Sequence, residues 1–108
     1  MRSLIRWETK NAPLDADWLD LTERGADFPS AKPVVPRRPK GNRWATLSAD
    51  VTIVFAGESM VHNSSRVADA VGKVLPNAHT VVLTGCSHHM LPMVPSGELD
   101  AVLLSALG

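Results

Sequence analysis

Two apolar runs rich in β-branched residues, 51–56 (VTIVFA) and 79–83 (HTVVL), bracket a segment of helical periodicity, and this order constrains the chain more than any other feature. In the intervening segment Val67, Val71 and Val74 fall on one helical face. Ser64 or Ser65 is expected to cap its start, and Pro76 stops it. The pattern is a βαβ unit, whose two strands run parallel. Parallel strands with unbroken apolar sequence need cover on both faces and neighbours on both edges, so two of them make a poor sheet alone. A missing structural neighbour is therefore expected. In sheets of this kind ligands and catalytic groups gather beyond the carboxyl ends of the strands, here the turns 57–63 and 84–93. His88 lies in the second.

Upstream, residues 1–46 divide into a partly helical start and a proline-rich connector, whereas 47–108 hold the βαβ unit and a closing helix. Asp15 precedes a run in which Trp18, Leu21 and Thr22 share a face, with Pro13 before it and Gly25 expected to end it. The connector spans 28–50. In the closing helix Leu99, Val102, Leu103, Ala106 and Leu107 form an apolar stripe, read as core packing. Pro95 and Ser96 precede it, and Glu98 in its first turn suits the helix dipole. Trp7, Trp18 and Trp44 crowd the half that lacks a core of its own, which suggests a lid over a pocket or a docking surface. Ordinary burial is the expected fate of each.

Charge and cysteine usage narrow the partners. With 108 residues the chain holds one domain, and its net charge of zero creates no long-range field to attract nucleic acid or an anionic membrane. Lys32, Arg37, Arg38, Lys40 and Arg43 do cluster without an acid. They alternate with Pro33, Pro36 and Pro39 and with no aromatic residue on which a base could stack, so a solvated extended linker is expected rather than a phosphate or RNA site. Cys86 is the sole cysteine, which excludes an internal disulfide and points to the cytoplasm. The start, MRSLIRWETK, breaks its apolar run after Leu4 and Ile5, far short of a signal-peptide core, and no segment is long enough to span a bilayer. There is no glycine-rich phosphate loop, and no cofactor is expected. The four histidines, His62, His79, His88 and His89, lack an H-E-x-x-H or paired-cysteine spacing, so no metal is expected either. Cys86 and His88, two apart on a tight turn, are poorly placed as a nucleophilic pair, and the thiol is expected to pack beneath the turn. Met90, Leu91 and Met93 form an apolar rim after the histidines, suited to an acyl group or to plain packing.

From Leu47 onward the chain resembles the C-terminal portion of an α/β-hydrolase. The elements are VTIVFAGESMVHN, a core strand with the turn that usually bears the catalytic acid; SSRVADAVGKVLPNA, a helix ending in Leu-Pro; HTVVLTGCSH, a last strand with a Gly-x-x-His turn; and HMLPMVPSGELDAVLLSAL, the final helix. The first half resembles the less regular cap region of such enzymes. The resemblance implies a partial α/β-hydrolase fold of the esterase type. It assigns to His88 the general base that takes a proton from a serine and returns it to the leaving group, a two-way role suited to an imidazole titrating near neutrality.

Departures from the family pattern are as informative. The position that usually holds the acid is Met60, and on the same turn the substitutes are Glu58, which can supply charge, and Asn63, which can orient the ring without neutralising it. No G-x-S-x-G elbow is present. Its nearest imitation, Gly57-Glu58-Ser59-Met60-Val61, places Val61 where the tight turn needs glycine, so Ser59 is not read as a nucleophile. The implied chain is a base without its serine, inactive alone and completed by an N-terminal hydrolase half, supplied by another polypeptide or by coding sequence upstream; a homo-oligomer belongs to the competing class. The competing class is a noncatalytic interaction module that pairs through the edge of the first strand and the tryptophan-bearing segment.

Overall fold

The computed structural model describes residues 2–91 and 96–108, so Met93 and Pro95, assigned above to an apolar rim and a helix start, lie outside the described residues. The elements run α1 (Arg2–Glu8), α2 (Ala16–Ala26), α3 (Gly41–Trp44), β1 (Thr52–Ala56), α4 (Ser64–Val74), β2 (His79–Leu83) and α5 (Ser96–Ala106). β1 and β2 are parallel, in a register that sets Thr52 opposite His79 and Ala56 opposite Leu83. The fold class is thus mixed α/β, built on a two-stranded parallel sheet.

Alternation along the strands sorts the cover. Ile53 lines an apolar groove with Val67, Ala70, Val71 and Val74 of α4, and Trp44 borders it. Val54 and Val81 turn the other way, onto a core of Leu83, Cys86 and Met90 that also takes Leu99 and Val102 from α5 and Ala12 and Leu14 from the α1–α2 connection. One helix therefore covers each face of the strand pair.

Local chemistry sets most element boundaries as expected, with two differences. Asp15 caps α2 by accepting a hydrogen bond from the Trp18 amide at 2.8 Å. Gly25 does not end α2, which runs on to Ala26; Gly25 has no positive φ, so it continues the helix. At α4 the cap is Asn63, whose side-chain oxygen accepts from the Arg66 amide at 3.0 Å, rather than Ser64 or Ser65. Asn caps as well as Ser does, and the Ser64 hydroxyl is committed elsewhere: it is buried and donates to the Ala56 carbonyl, tying the start of α4 to the end of β1.

The first helix ends without glycine. Lys10 and Asn11 adopt φ of 53° and 59°, and the Asn11 amide donates to the Arg6 carbonyl at 2.8 Å, a reversal in which lysine holds the left-handed position that glycine usually fills. Two ion pairs, Arg2 to Asp20 at 2.7 Å and Arg2 to Glu23 at 2.5 Å, join α1 to α2. Both are exposed and contribute little to stability.

The closing helix and the tryptophans depart from expectation. Leu99 and Val102 pack as read, but Leu103 is 49% and Leu107 86% exposed, and Ala106 is exposed as well. Two strands offer too narrow a surface for the whole stripe. None of the tryptophans is fully buried: Trp7 and Trp44 are exposed and Trp18 is half-buried. Residues 29–40 form neither helix nor strand and are exposed throughout, as expected of a solvated proline-rich linker.

These exposures add up. The chain presents 8509 Å² to solvent, whereas a folded monomer of its mass is expected to present about 5,800 Å². Its radius of gyration is 16.2 Å, against about 13 Å for a domain of this length. The exposed connector accounts for part of the excess, and the uncovered leucines of α5 add to it.

One residue admits no side chain. A Cβ on Gly57 would lie 2.7 Å from the Leu83 carbonyl oxygen, a backbone atom that cannot move without breaking the sheet. Gly57→Ala is expected to lower stability by about 1–3 kcal/mol, and Ser64→Ala by about 1 kcal/mol. Urea denaturation followed by far-UV circular dichroism measures both.

Candidate functional site

The turn after β2 is held against the turn after β1 by backbone bonds. The Gly57 amide donates to the Leu83 carbonyl at 2.8 Å, and the Glu58 amide to the Cys86 carbonyl at 2.9 Å. Gly85, with φ of 71°, gives the second turn its left-handed step. The Met90 and Leu91 amides then close on the Ser87 carbonyl at 3.0 and 3.1 Å. This tight winding brings two successive side chains to one side: the rings of His88 and His89 lie 4.1 Å apart between centroids, tilted by 38°. Cys86 is packed beneath the turn, fully buried, and burial together with Glu98 pushes its thiol pKa up, which suits an inert core thiol.

The carboxylate that meets these rings comes from α1. Glu8 Oε2 lies 2.5 Å from His89 Nε2 and 3.8 Å from His88 Nε2, and the Glu8 side chain is only 14% exposed. Trp18 closes the far side of His89 with an edge-on ring contact at 5.6 Å. Sequence reasoning missed Glu8, which is separated from its partners by eighty residues of chain. A signal was present: Ile5, Glu8 and Thr9 share one face of a short helix, and Ile5 and Thr9 are both buried.

The acid substitutes lie elsewhere. The Glu58 carboxylate pairs with Lys10 at 2.6 Å on the surface, and the Asn63 side chain caps α4. Met60 is exposed. Ser59 Oγ comes within 3.4 Å of His62 Nδ1, with the Ser64 hydroxyl 3.2 Å from His62 Nε2. No carboxylate contacts His62 among the described residues, and the Ser64 proton is already given to Ala56, so this pair lacks the orienting group a serine nucleophile needs.

His88 is electrostatically distinct. Burial, and then the neighbouring His89, pull its pKa below the usual 6.5, while Glu8 partly opposes them. Its Nδ1 is buried and has no hydrogen-bond partner among the described residues, and the Ser87 hydroxyl shares that condition. The site therefore offers an imidazole that stays neutral near pH 7, with one nitrogen turned toward a carboxylate and the other without an orienting group.

Comparison with protein-family models, with curated proteins and with solved structures gives no match, so the chemistry rests on the residues themselves. No described helix is long and apolar enough to cross a membrane.

Because the unfolded chain binds a proton on His88 more readily than the folded one, stability is expected to fall as pH drops through 6.5 and to level off below the folded-state pKa. Imidazole NMR titration should place His88 below 6.5, and Glu8→Gln should lower it further, since that change removes the one charge that raises it.

Proposed function

We propose that this chain is the histidine-bearing part of an α/β-hydrolase-like carboxylic-ester hydrolase, inactive alone and completed by a polypeptide that supplies the serine and the oxyanion-hole amides. The observation that carries this reading is the Nδ1 of His88, without a hydrogen-bond partner among the described residues, in the turn beyond the carboxyl end of a parallel strand. In a serine triad the acid holds that nitrogen, and the residue at the acid position here is Met60, whose thioether cannot do so. His88 Nε2, the nitrogen that would take the serine proton and pass it to the leaving alcohol, is faced by Glu8 at 3.8 Å. A serine must displace α1 or approach beside it. The surplus surface supports a missing structural half. A cytoplasmic setting goes with this reading, the one thiol being buried and made less reactive.

The isolated chain is expected to show no turnover of short p-nitrophenyl esters and no labelling by a fluorophosphonate probe. Serine-type turnover by the chain alone, abolished by His88→Ala, would overturn its incompleteness. In a complex that restores hydrolysis, His88→Ala should lower kcat by about 10³-fold or more, and turnover indifferent to that change would sink the base assignment.

The second reading, a self-association module, is favoured by the exposed Leu103, Leu104 and Leu107 on α5 and by strand edges that no third strand pairs among the described residues. Light scattering distinguishes it: mass rising with concentration supports pairing, and a dilute stable monomer argues against it.

A further inference from the structure

The Glu8–His88–His89 cluster has a chemistry that neither reading above uses. All three residues are half-buried, and one donor atom from each lies within 4.8 Å of the others. Around a tetrahedral transition-metal ion with bonds of about 2.0–2.2 Å, neighbouring ligand atoms stand roughly 3.4 Å apart. The 3.8 Å between His88 Nε2 and Glu8 Oε2 is already close to that spacing. The 2.5 Å between His89 Nε2 and the same oxygen is a hydrogen bond, so this pair would open by under an ångström as the ion replaces the bridging proton.

We propose that Glu8, His88 and His89 form a binding site for one divalent transition-metal ion of the zinc class, with water completing the coordination. Two imidazoles and a carboxylate suit zinc, nickel or cobalt better than calcium or magnesium, which favour oxygen ligands alone. Both histidines ligate as neutral rings, and the lowered pKa of His88 keeps that ring deprotonated at neutral pH. Trp18 against the edge of His89 limits the orientations that ring can take. The Nδ1 of His88 has no hydrogen-bond partner among the described residues. Without that outer support the affinity is lowered by about 10–100-fold relative to a fully braced site. The ion would pin α1, through Glu8, to the turn after β2, replacing the Glu8–His89 hydrogen bond and adding to the packing of Ala12 and Leu14. The proposal rests on these distances and not on the hydrolase reading.

Isothermal titration of the untagged full chain with zinc chloride at pH 7.5 tests it. One equivalent should bind and the midpoint of thermal unfolding should rise. Glu8→Gln, His88→Ala and His89→Ala should each weaken binding by at least about tenfold, with far-UV circular dichroism establishing that the variants fold. His62→Ala and His79→Ala should bind as the parent does. Cobalt(II) added in place of zinc should give the intense visible absorption of a tetrahedral site, lost in Glu8→Gln. Absence of saturable binding, binding unaffected by Glu8→Gln, or binding lost equally in His62→Ala would overturn the site. Should Glu8→Gln alone fail to fold, Glu8→Asp serves instead: weakened binding upholds the assignment, and unchanged binding together with unchanged cobalt absorption refutes it.

Discussion

The ladder between β1 and β2 does not stop where the strands do. It continues through the Gly57 amide to the Leu83 carbonyl and the Glu58 amide to the Cys86 carbonyl, so the two carboxyl-end turns are stitched into one surface. Everything of chemical interest depends on that stitching. It requires glycine at position 57, because any Cβ would meet the Leu83 oxygen, and it fixes the direction in which the chain leaves β2. The winding that follows, through Gly85 and back onto the Ser87 carbonyl, lets two adjacent imidazoles share a side.

Onto this surface α1 brings a carboxylate. The Glu8–His89 contact is half-buried and short, unlike the exposed pairs that Arg2 makes with Asp20 and Glu23, and it is correspondingly less screened by solvent. Ala12 and Leu14 reinforce it by entering the Leu83–Cys86–Met90 core. The N-terminal segment is thus bound to the sheet by both apolar packing and charge. The same contact makes the site ambivalent, since the carboxylate that steadies the imidazoles also faces the nitrogen a hydrolytic base would use.

Much of the scaffold was legible because local chemistry and tertiary need agree there. The β-branched runs became the parallel pair, Asp15 capped its helix, and the proline-rich run 29–40 forms neither helix nor strand. At the first turn of α4 two residues with similar capping ability compete, and the burial of Ser64 against Ala56 decides for Asn63. Periodicity alone assigned all of the α5 stripe to a core, but a stripe is buried only where a surface exists to receive it, and the sheet ends before Leu103 and Leu107 do. His88 was singled out by its position after a strand and a glycine, and it lies beside His89 and Glu8. Glu8 was not, because a contact across the whole chain leaves no local pattern, and the basic character of the first ten residues drew attention away from the buried face of α1.

The exposed run 29–40 bears on how copies of this chain meet. Proline-rich chain spans roughly 3 Å per residue, so this tether is comparable in length to the molecule's 40 Å longest dimension. The α1–α2 hairpin docks on the imidazole turn as an intramolecular ligand, held near it by a leash rather than by a rigid joint. Such a tether keeps the hairpin near the turn at an effective concentration set by its length and stiffness. Only where chains are packed more densely than that would the hairpin of one molecule compete for the sheet of its neighbour.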